Sequence, residues 1–389
     1  MKQYIKPVSA RARATEARLI VASSDNDANM LWATRMFVPD PCVFIMKPRG
    51  RKYMIMSDLE VDRAREQATV HTVLPASRYI GRAQHGGIPF PSTSDILREA
   101  LLELKIEAVR VPETFPIALA DRLRSDGISV RVQPDPFWPE REIKTSDEIR
   151  HIGKSLRIAE EGMGAGVEAL RRTSIQPNGT LKLDGSTLTS ERLRGIINSL
   201  IMEKGAVPSH TIVASGPQSV DPHNEGSGVI RANSPIIIDI FPRAEATGYF
   251  GDMTRTFVRG RASDMLKRAY HAVEQAQKVG FDRIRSRANA YAIHQEILQH
   301  FRQQGFETGM KDGRMQGFFH GTGHGLGLDV HEAPVFGLKA QNRLRKNHVV
   351  TVEPGLYYAG MGGVRLEDVV VVGQTGCRNM VRFPKFLEL

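Results

Sequence analysis

GTGHGLGLDVHE, residues Gly321 to Glu332, sets four glycines beside His324 and His331, with His320 immediately before. Glycine weakens a strand and lets the backbone approach a ligand closely, so this density of glycine and imidazole points to a site rather than to core packing. Histidine clusters hold metals or carry protons near neutral pH. A surface loop with incidental histidines is the plain alternative, and the flanking sequence weighs against it.

Upstream, SPIIIDIFPR and GYFGDMTRTFV read as two strands, the first a β-branched run ending in Asp239, the second carrying Asp252 after a turn with Gly248 and Gly251. Downstream, HVVTVEPGLYY and GGVRLEDVVVV repeat the design, with Glu353 on one strand and Glu367 on the other. The acids are 13 residues apart in the first pair and 14 in the second. A carboxylate in an apolar strand needs a partner or must stay neutral. Arg255 or Arg365 would neutralise one such acid, whereas a pair of divalent cations neutralises all four at once. Oxygen-rich ligation with one imidazole suits Mn, Fe(II), Co or Zn rather than a cysteine-based structural zinc site. Two such cations lower the pKa of a shared water and polarise a carbonyl, which predicts a dinuclear metallohydrolase.

The order Asp239, Asp252, His324, Glu353, Glu367, in the settings IIIDI, GDMTRTF, GHGLGLDVHE, TVEPGLY and GGVRLED, resembles the metallopeptidases that include aminopeptidase P, prolidase and methionine aminopeptidase. The phrases HGTGHGLGLDVHE, VEPGLY and RLED resemble the Xaa-Pro branch more than the methionine branch, and the likeness covers about residues 140 to 389. The resemblance implies that Asp239 chelates one metal, Asp252 and Glu367 bridge both, and His324 with Glu353 completes the other. Glu353 would double as general base toward a metal-bridging hydroxide, and His331 would stabilise the tetrahedral intermediate or shuttle a proton. His320 and His223 fall at positions that contact substrate around the scissile bond. Arg365, two residues before Glu367 and so on the same strand face, would order the carboxylates or meet a substrate carboxylate.

The implied fold is α+β, a C-terminal pita-bread catalytic domain over residues 140–389 preceded by a smaller α/β domain of the creatinase type over residues 1–133. The implied activity is an exopeptidase that hydrolyses the Xaa-Pro bond with two divalent ions, Mn before Co, Zn or Fe, in a homodimer or homotetramer. A prolidase confined to Xaa-Pro dipeptides, a non-peptide amide or amidine hydrolase on the same fold, and a binding module without turnover are the alternatives. The last would have lost ligands, and all five are present. Two departures stand out: Phe241 occupies the place two residues after the first Asp where the family commonly has glycine, and HEAPV, ending in Val335, is not the helical HExxH motif.

With 389 residues, 41% of them hydrophobic and 25% charged, the chain suits two globular domains. Only Cys42 and Cys377 occur, no apolar run approaches a membrane span, and no secretory signal is evident at the start, so the expectation is a cytoplasmic protein. The net charge of +10 comes from short, scattered basic groups without interleaved aromatics, which argues against a nucleic-acid platform. Between residues 16 and 132, apolar strands alternate with helical stretches, predicting a largely parallel sheet. Pro134, Pro136 and Pro139 mark a linker. Thr145 with Glu148 predicts a capped helix, and three further helices are expected over SERLRGIINSLIMEKG, ASDMLKRAYHAVEQAQKVGFDRI and AYAIHQEILQHFRQQG. His294 and His300 read as ordinary helix residues. Asp329 either orients a histidine or closes the turn.

Overall fold

The computed structural model describes residues 16–389 apart from 339 and 341. The chain divides into two compact units between Arg141 and Glu142. In the first, β1 (Ala17–Ala22), β2 (Cys42–Met46), β3 (Lys52–Met56), β4 (Thr72–Pro75), β5 (Ala108–Pro112) and β6 (Ser129–Gln133) form one sheet ordered β4-β3-β2-β1-β5-β6. Side chains alternate across it: Leu19 and Val21 enter one apolar layer, while Ile20 enters the other with Phe44 and Met54.

The expected largely parallel sheet is mixed. The β1–β5, β5–β6 and β3–β4 pairings are parallel, but β1–β2 and β2–β3 are antiparallel. The five residues between β2 and β3 are too few for a crossover, which needs a dozen or more, so that pair has to run as a hairpin. The proline-rich stretch also packs instead of hanging free. Phe137 and Trp138 are buried in the layer containing Met30 and Phe44, and the Trp138 indole N–H donates to the Asn29 carbonyl at 3.1 Å.

The second unit opens with a long helix, Ser146–Arg171, whose N-terminus carries the predicted box: Thr145 accepts from the Glu148 N–H, and the Glu148 carboxylate accepts from the Thr145 N–H. Helices Ser190–Glu203, Asp264–Arg283 and Ala290–Gln303 follow where expected. They surround antiparallel strands. β7 (Ile212–Ser215), β8 (Pro235–Ile240) and β9 (Met253–Val258) make one sheet with β8 central, and all six β8 residues are buried. β10 (Gly323–Gly325), β11 (Glu332–Phe336), β12 (Val349–Val352), β13 (Gly355–Tyr358), β14 (Gly362–Arg365) and β15 (Asp368–Val372) follow, and β16 (Cys377–Asn379), mostly exposed, pairs along the outer edge of β15. The core beneath them gathers Val273, Ile297, Phe301, Phe318, Val352 and Leu366. Among the described residues, no helix is long and apolar enough to cross a membrane.

The downstream hairpin differs from the two plain strands expected. β12 pairs with β15 as far as Val352 opposite Asp368, and β13 pairs with β14 from Gly355 opposite Arg365. Glu353, Pro354, Leu366 and Glu367 lie in the break. Pro354 has no N–H to give to a ladder, so pairing cannot run through. The Glu353 N–H bonds sideways to the Thr322 carbonyl (2.8 Å) and the Glu367 N–H to the Thr254 carbonyl (3.0 Å).

Candidate metal centre

All nine residues singled out in the sequence line one cavity of about 770 Å³: His223, Asp239, Asp252, His320, His324, His331, Glu353, Arg365, Glu367 share its wall with Phe241. The tightest group is Asp252, His324 and Glu367, each offering a ligand atom within 4.8 Å of the others. Glu353 stands 3.3 Å from the His324 Nε2, and Asp252 is 3.7 Å from the same nitrogen. Asp239 is paired through Oδ2 with Arg365 at 2.7 Å, while its Oδ1 is buried without a hydrogen-bond partner.

The glycines of the opening stretch have a concrete use. A Cβ at Gly323 would run into the Thr351 carbonyl, and one at Gly325 into that of Ala333, so only glycine lets β10 lie this close to its neighbours. The same proximity lets the His324 N–H donate to Thr351 Oγ1 at 3.0 Å. The His324 Nδ1 lies 3.1 Å from the Gly325 carbonyl and donates to it. That bond fixes the tautomer, leaving the Nε2 lone pair facing the carboxylates, the form a metal ligand requires.

Electrostatics agrees with a cation-holding site. Burial, then the neighbouring Asp239 and Glu353 charges, hold the Asp252 pKa well above the usual carboxylate range, and burial followed by Asp252 does the same to Glu367. Burial pushes Glu353 up to about 7. His324 is held below its ordinary value by burial, as is His331 by burial and then by His324. Crowded carboxylates, an oriented imidazole and the unpartnered Asp239 oxygen are the donor set of an oxygen-rich divalent site, and they fit it.

The remaining predicted residues fall around this group. His331 is exposed, its ring 4.4 Å from that of His324 and nearly perpendicular to it. His223 is exposed on the cavity wall, its N–H bonded to the Asp221 carboxylate at 3.1 Å. His320 has both ring nitrogens engaged, Nδ1 donating to the Gly321 carbonyl (2.8 Å) and Nε2 accepting from the Tyr357 hydroxyl (2.9 Å), and burial drives its pKa down to about 3. Arg365 donates to Thr254 Oγ1, the Pro222 carbonyl, the Tyr357 hydroxyl and Asp239. Arg255 serves a different acid, Asp368, at 2.7 Å. Asp329 is exposed, and its backbone carbonyl closes the turn by accepting the Gly327 N–H.

A comparison of the sequence with family models matches residues 150–374 to metallopeptidase family M24. The chain belongs to that family. Among its M24 relatives, the uncharacterized peptidase YqhT of Bacillus subtilis is 31% identical over 252 residues, 64% of either chain. A Xaa-Pro dipeptidase of Pyrococcus furiosus is 28% identical over 249 residues, 62% of this chain and 64% of that one. The chain thus matches somewhat under two thirds of the length of these relatives. Among solved structures, an X-Pro aminopeptidase from Thermotoga maritima superposes with a TM-score of 0.79 at 22% identity, covering 97% of this chain and 99% of that one. The M24 chain is therefore α+β with a C-terminal pita-bread-like metallopeptidase domain, and its Asp–His–Glu triad is a metal-binding group.

Sequence reasoning missed Tyr357 and Thr254. Tyr357 is fully buried between Arg365 and His320, although VEPGLYY reads simply as strand. Thr254 Oγ1 donates to Glu367 at 2.7 Å. Its place two residues after Asp252, on the same strand face, was the available signal. His294 keeps the structural part expected of a helix residue: it is buried, its Nδ1 lies 2.9 Å from Thr322 Oγ1, and the Thr322 carbonyl holds the Glu353 N–H. The His210–Glu225 pair, at 2.7 Å, also lines the cavity and carried no sequence signal.

Proposed function

We propose that the chain is a two-metal exopeptidase that hydrolyses the peptide bond before proline, as an aminopeptidase P does. The observation that carries this reading is the convergence of Asp239, Asp252, His324, Glu353 and Glu367 with three further histidines on one cavity wall of an M24 fold. The names of the relatives support the Xaa-Pro substrate class. Asp239, Asp252, His324, Glu353 and Glu367 would hold two divalent ions, with manganese the first choice. Bound there, the ions supply an activated water and Lewis-acid polarisation of the scissile carbonyl.

The protein's own groups do the rest. Glu353 would take a proton from the attacking water and return it to the departing nitrogen. His331, exposed beside His324, donates to the oxygen that becomes negative during attack. His320 keeps both nitrogens inside the protein and would offer ring surface to the proline, with His223 lining the same cavity. Arg365 fixes Asp239 and Tyr357 from behind. We assign the chain to the cytoplasm and to a homodimer or homotetramer. Prolidase action confined to dipeptides is the second reading, supported by the name of the Pyrococcus relative.

The test is metal removal followed by reconstitution, read with Ala-Pro-Ala, Ala-Pro and Met-Ala-Ala as substrates. Manganese, cobalt or zinc restores proline-peptide hydrolysis lost to chelation. Full activity after verified metal removal, or faster cleavage of Met-Ala-Ala than of both proline peptides, overturns the proposal.

A further inference from the structure

Between β10 and β11 the chain makes a six-residue loop, Leu326 to His331, and His331 is its last residue before the strand. The ladder closes this loop at Gly325 opposite Glu332. One flank is tied by main chain: the Leu326 N–H bonds to the Val349 carbonyl (3.0 Å), and the Gly327 carbonyl accepts from the Phe250 N–H (2.9 Å). The His331 flank is held by side chains. The Glu332 carboxylate reaches back across the loop to Gly327, where a Cβ would stand 2.6 Å from its Oε1. The Lys144 ammonium donates to the same oxygen from a segment 188 positions away.

Lys144 is itself buried, 2% exposed, and its own N–H bonds to the Asn347 carbonyl at 3.0 Å, one residue before the Thr145 cap. Taking an ammonium and a carboxylate out of water is costly, and an apolar pair of the same size often serves stability as well or better. Stability alone is thus a poor reason for this pair, whereas a directional bond that pins one loop is a good one. Neither side chain is among the described residues that line the metal-site cavity. Their effect on that cavity passes through His331, which adjoins Glu332 in the chain and stands 4.4 Å, ring to ring, from His324.

We infer that Lys144 and Glu332 are positioning residues, an internal brace that keeps the loop closed and sets the His331 imidazole beside the proposed metal centre. The inference rests on the two-metal reading above and adds to it a control that lies outside the cavity.

The test replaces the pair by apolar groups, Lys144→Met with Glu332→Leu, so that no charge is left buried alone. Metal content and melting temperature of the manganese-loaded full chain stay at the parent values, while hydrogen exchange rises across residues 326–331. kcat for Ala-Pro-Ala falls about 10- to 100-fold with KM held, the usual cost of misplacing a supported group by a small distance. In the His331→Ala background the same double substitution lowers kcat by less than about twofold, because the group it would misplace is already gone. Glu332→Gln, of the same shape without the charge, gives the same pattern at smaller size and decides the matter if the apolar pair does not fold. Parental kcat, unchanged loop exchange, or a full further loss in the His331→Ala background overturns the inference and leaves the Xaa-Pro reading standing. Cleavage of no proline peptide by the parent overturns that reading instead, and loop exchange, which needs no substrate, still decides the brace.

Discussion

The two acid-bearing hairpins carry their carboxylates in opposite ways. In β8–β9 the ladder is continuous, and Asp239 occupies a regular position between Ile212 and Thr254. In the downstream hairpin the ladder breaks, and Glu353 and Glu367 sit in the gap with their N–H groups turned sideways. Each hairpin also holds the acid of the other: Arg365 of the second grips Asp239 of the first, and Thr254 of the first bonds Glu367 of the second. Thr256 adds to the seam, its hydroxyl donating to the Arg365 carbonyl and accepting the Arg365 N–H, both at 2.9 Å. Neither half is a site alone. The repeat visible in the sequence supplies the ligands, and the asymmetric seam supplies their geometry.

The strongest way to sharpen this contrast is to separate ligation from proton transfer. His324→Ala loses metal, read by elemental analysis, whereas His331→Ala retains it and loses roughly 10²- to 10⁴-fold in kcat. Equal metal loss in both variants would show that the two roles are misassigned. Next is the strap itself. Arg365→Met leaves Asp239 buried beside an apolar side chain, and removing one member of a buried pair costs about 3–5 kcal/mol of stability, read by urea unfolding of the metal-free protein. A variant as stable as the parent would mean that Asp239 is not held by the opposite hairpin.

A pH prediction probes the support beneath the break. Burial drives the His294 pKa down to about 4 from an ordinary 6.5. A lowered histidine pKa means that the unfolded chain takes up a proton the folded chain refuses, so stability is present above about pH 6.5 and is lost as pH falls toward 4. The loss reaches up to about 3 kcal/mol for this residue, and His294→Phe flattens that part of the melting-temperature profile relative to the parent. Parallel profiles would remove His294 from the account. The smallest effect belongs to Thr254→Val, which deletes the hydroxyl's bond to Glu367 and the one it accepts from Arg365. It weakens metal binding about 10- to 100-fold with about 1–3 kcal/mol of lost stability, measured by competition with a chelator and by unfolding.

The five proposed ligands were legible because each sits in a short, unusual local setting: an acid in a β-branched run, a histidine among glycines. The capped helix at Thr145 was legible for the same reason, since a capping box spans only four residues. What the sequence concealed depends on contacts between distant segments. Thr254 and Tyr357 are common residues in ordinary elements, and their roles come from neighbours 113 and 37 positions away. The break in the second hairpin was announced by Pro354, yet the apolar run on both sides reads as one strand. Parallel and antiparallel pairing in the first unit is likewise absent from local pattern and follows only from connection lengths. Phe137 and Trp138, hidden among prolines, pack as core because two large aromatics outweigh the loop character of their neighbours.

The seam has a consequence for how the molecule is made. Its bonds join residues more than a hundred positions apart, Thr254 to Glu367 and Asp239 to Arg365. Closing loops of that length is among the slow, entropically costly acts of folding. The ligand cluster of Asp252, His324 and Glu367 comes together only when that closure is made, so a nascent chain that has emerged through Asp252 holds a single acid of the triad and no chelating pocket. On the proposed two-metal reading, metal capture would be a checkpoint on topology, and the proposed hydrolysis would wait until the C-terminal strands have been synthesised and docked.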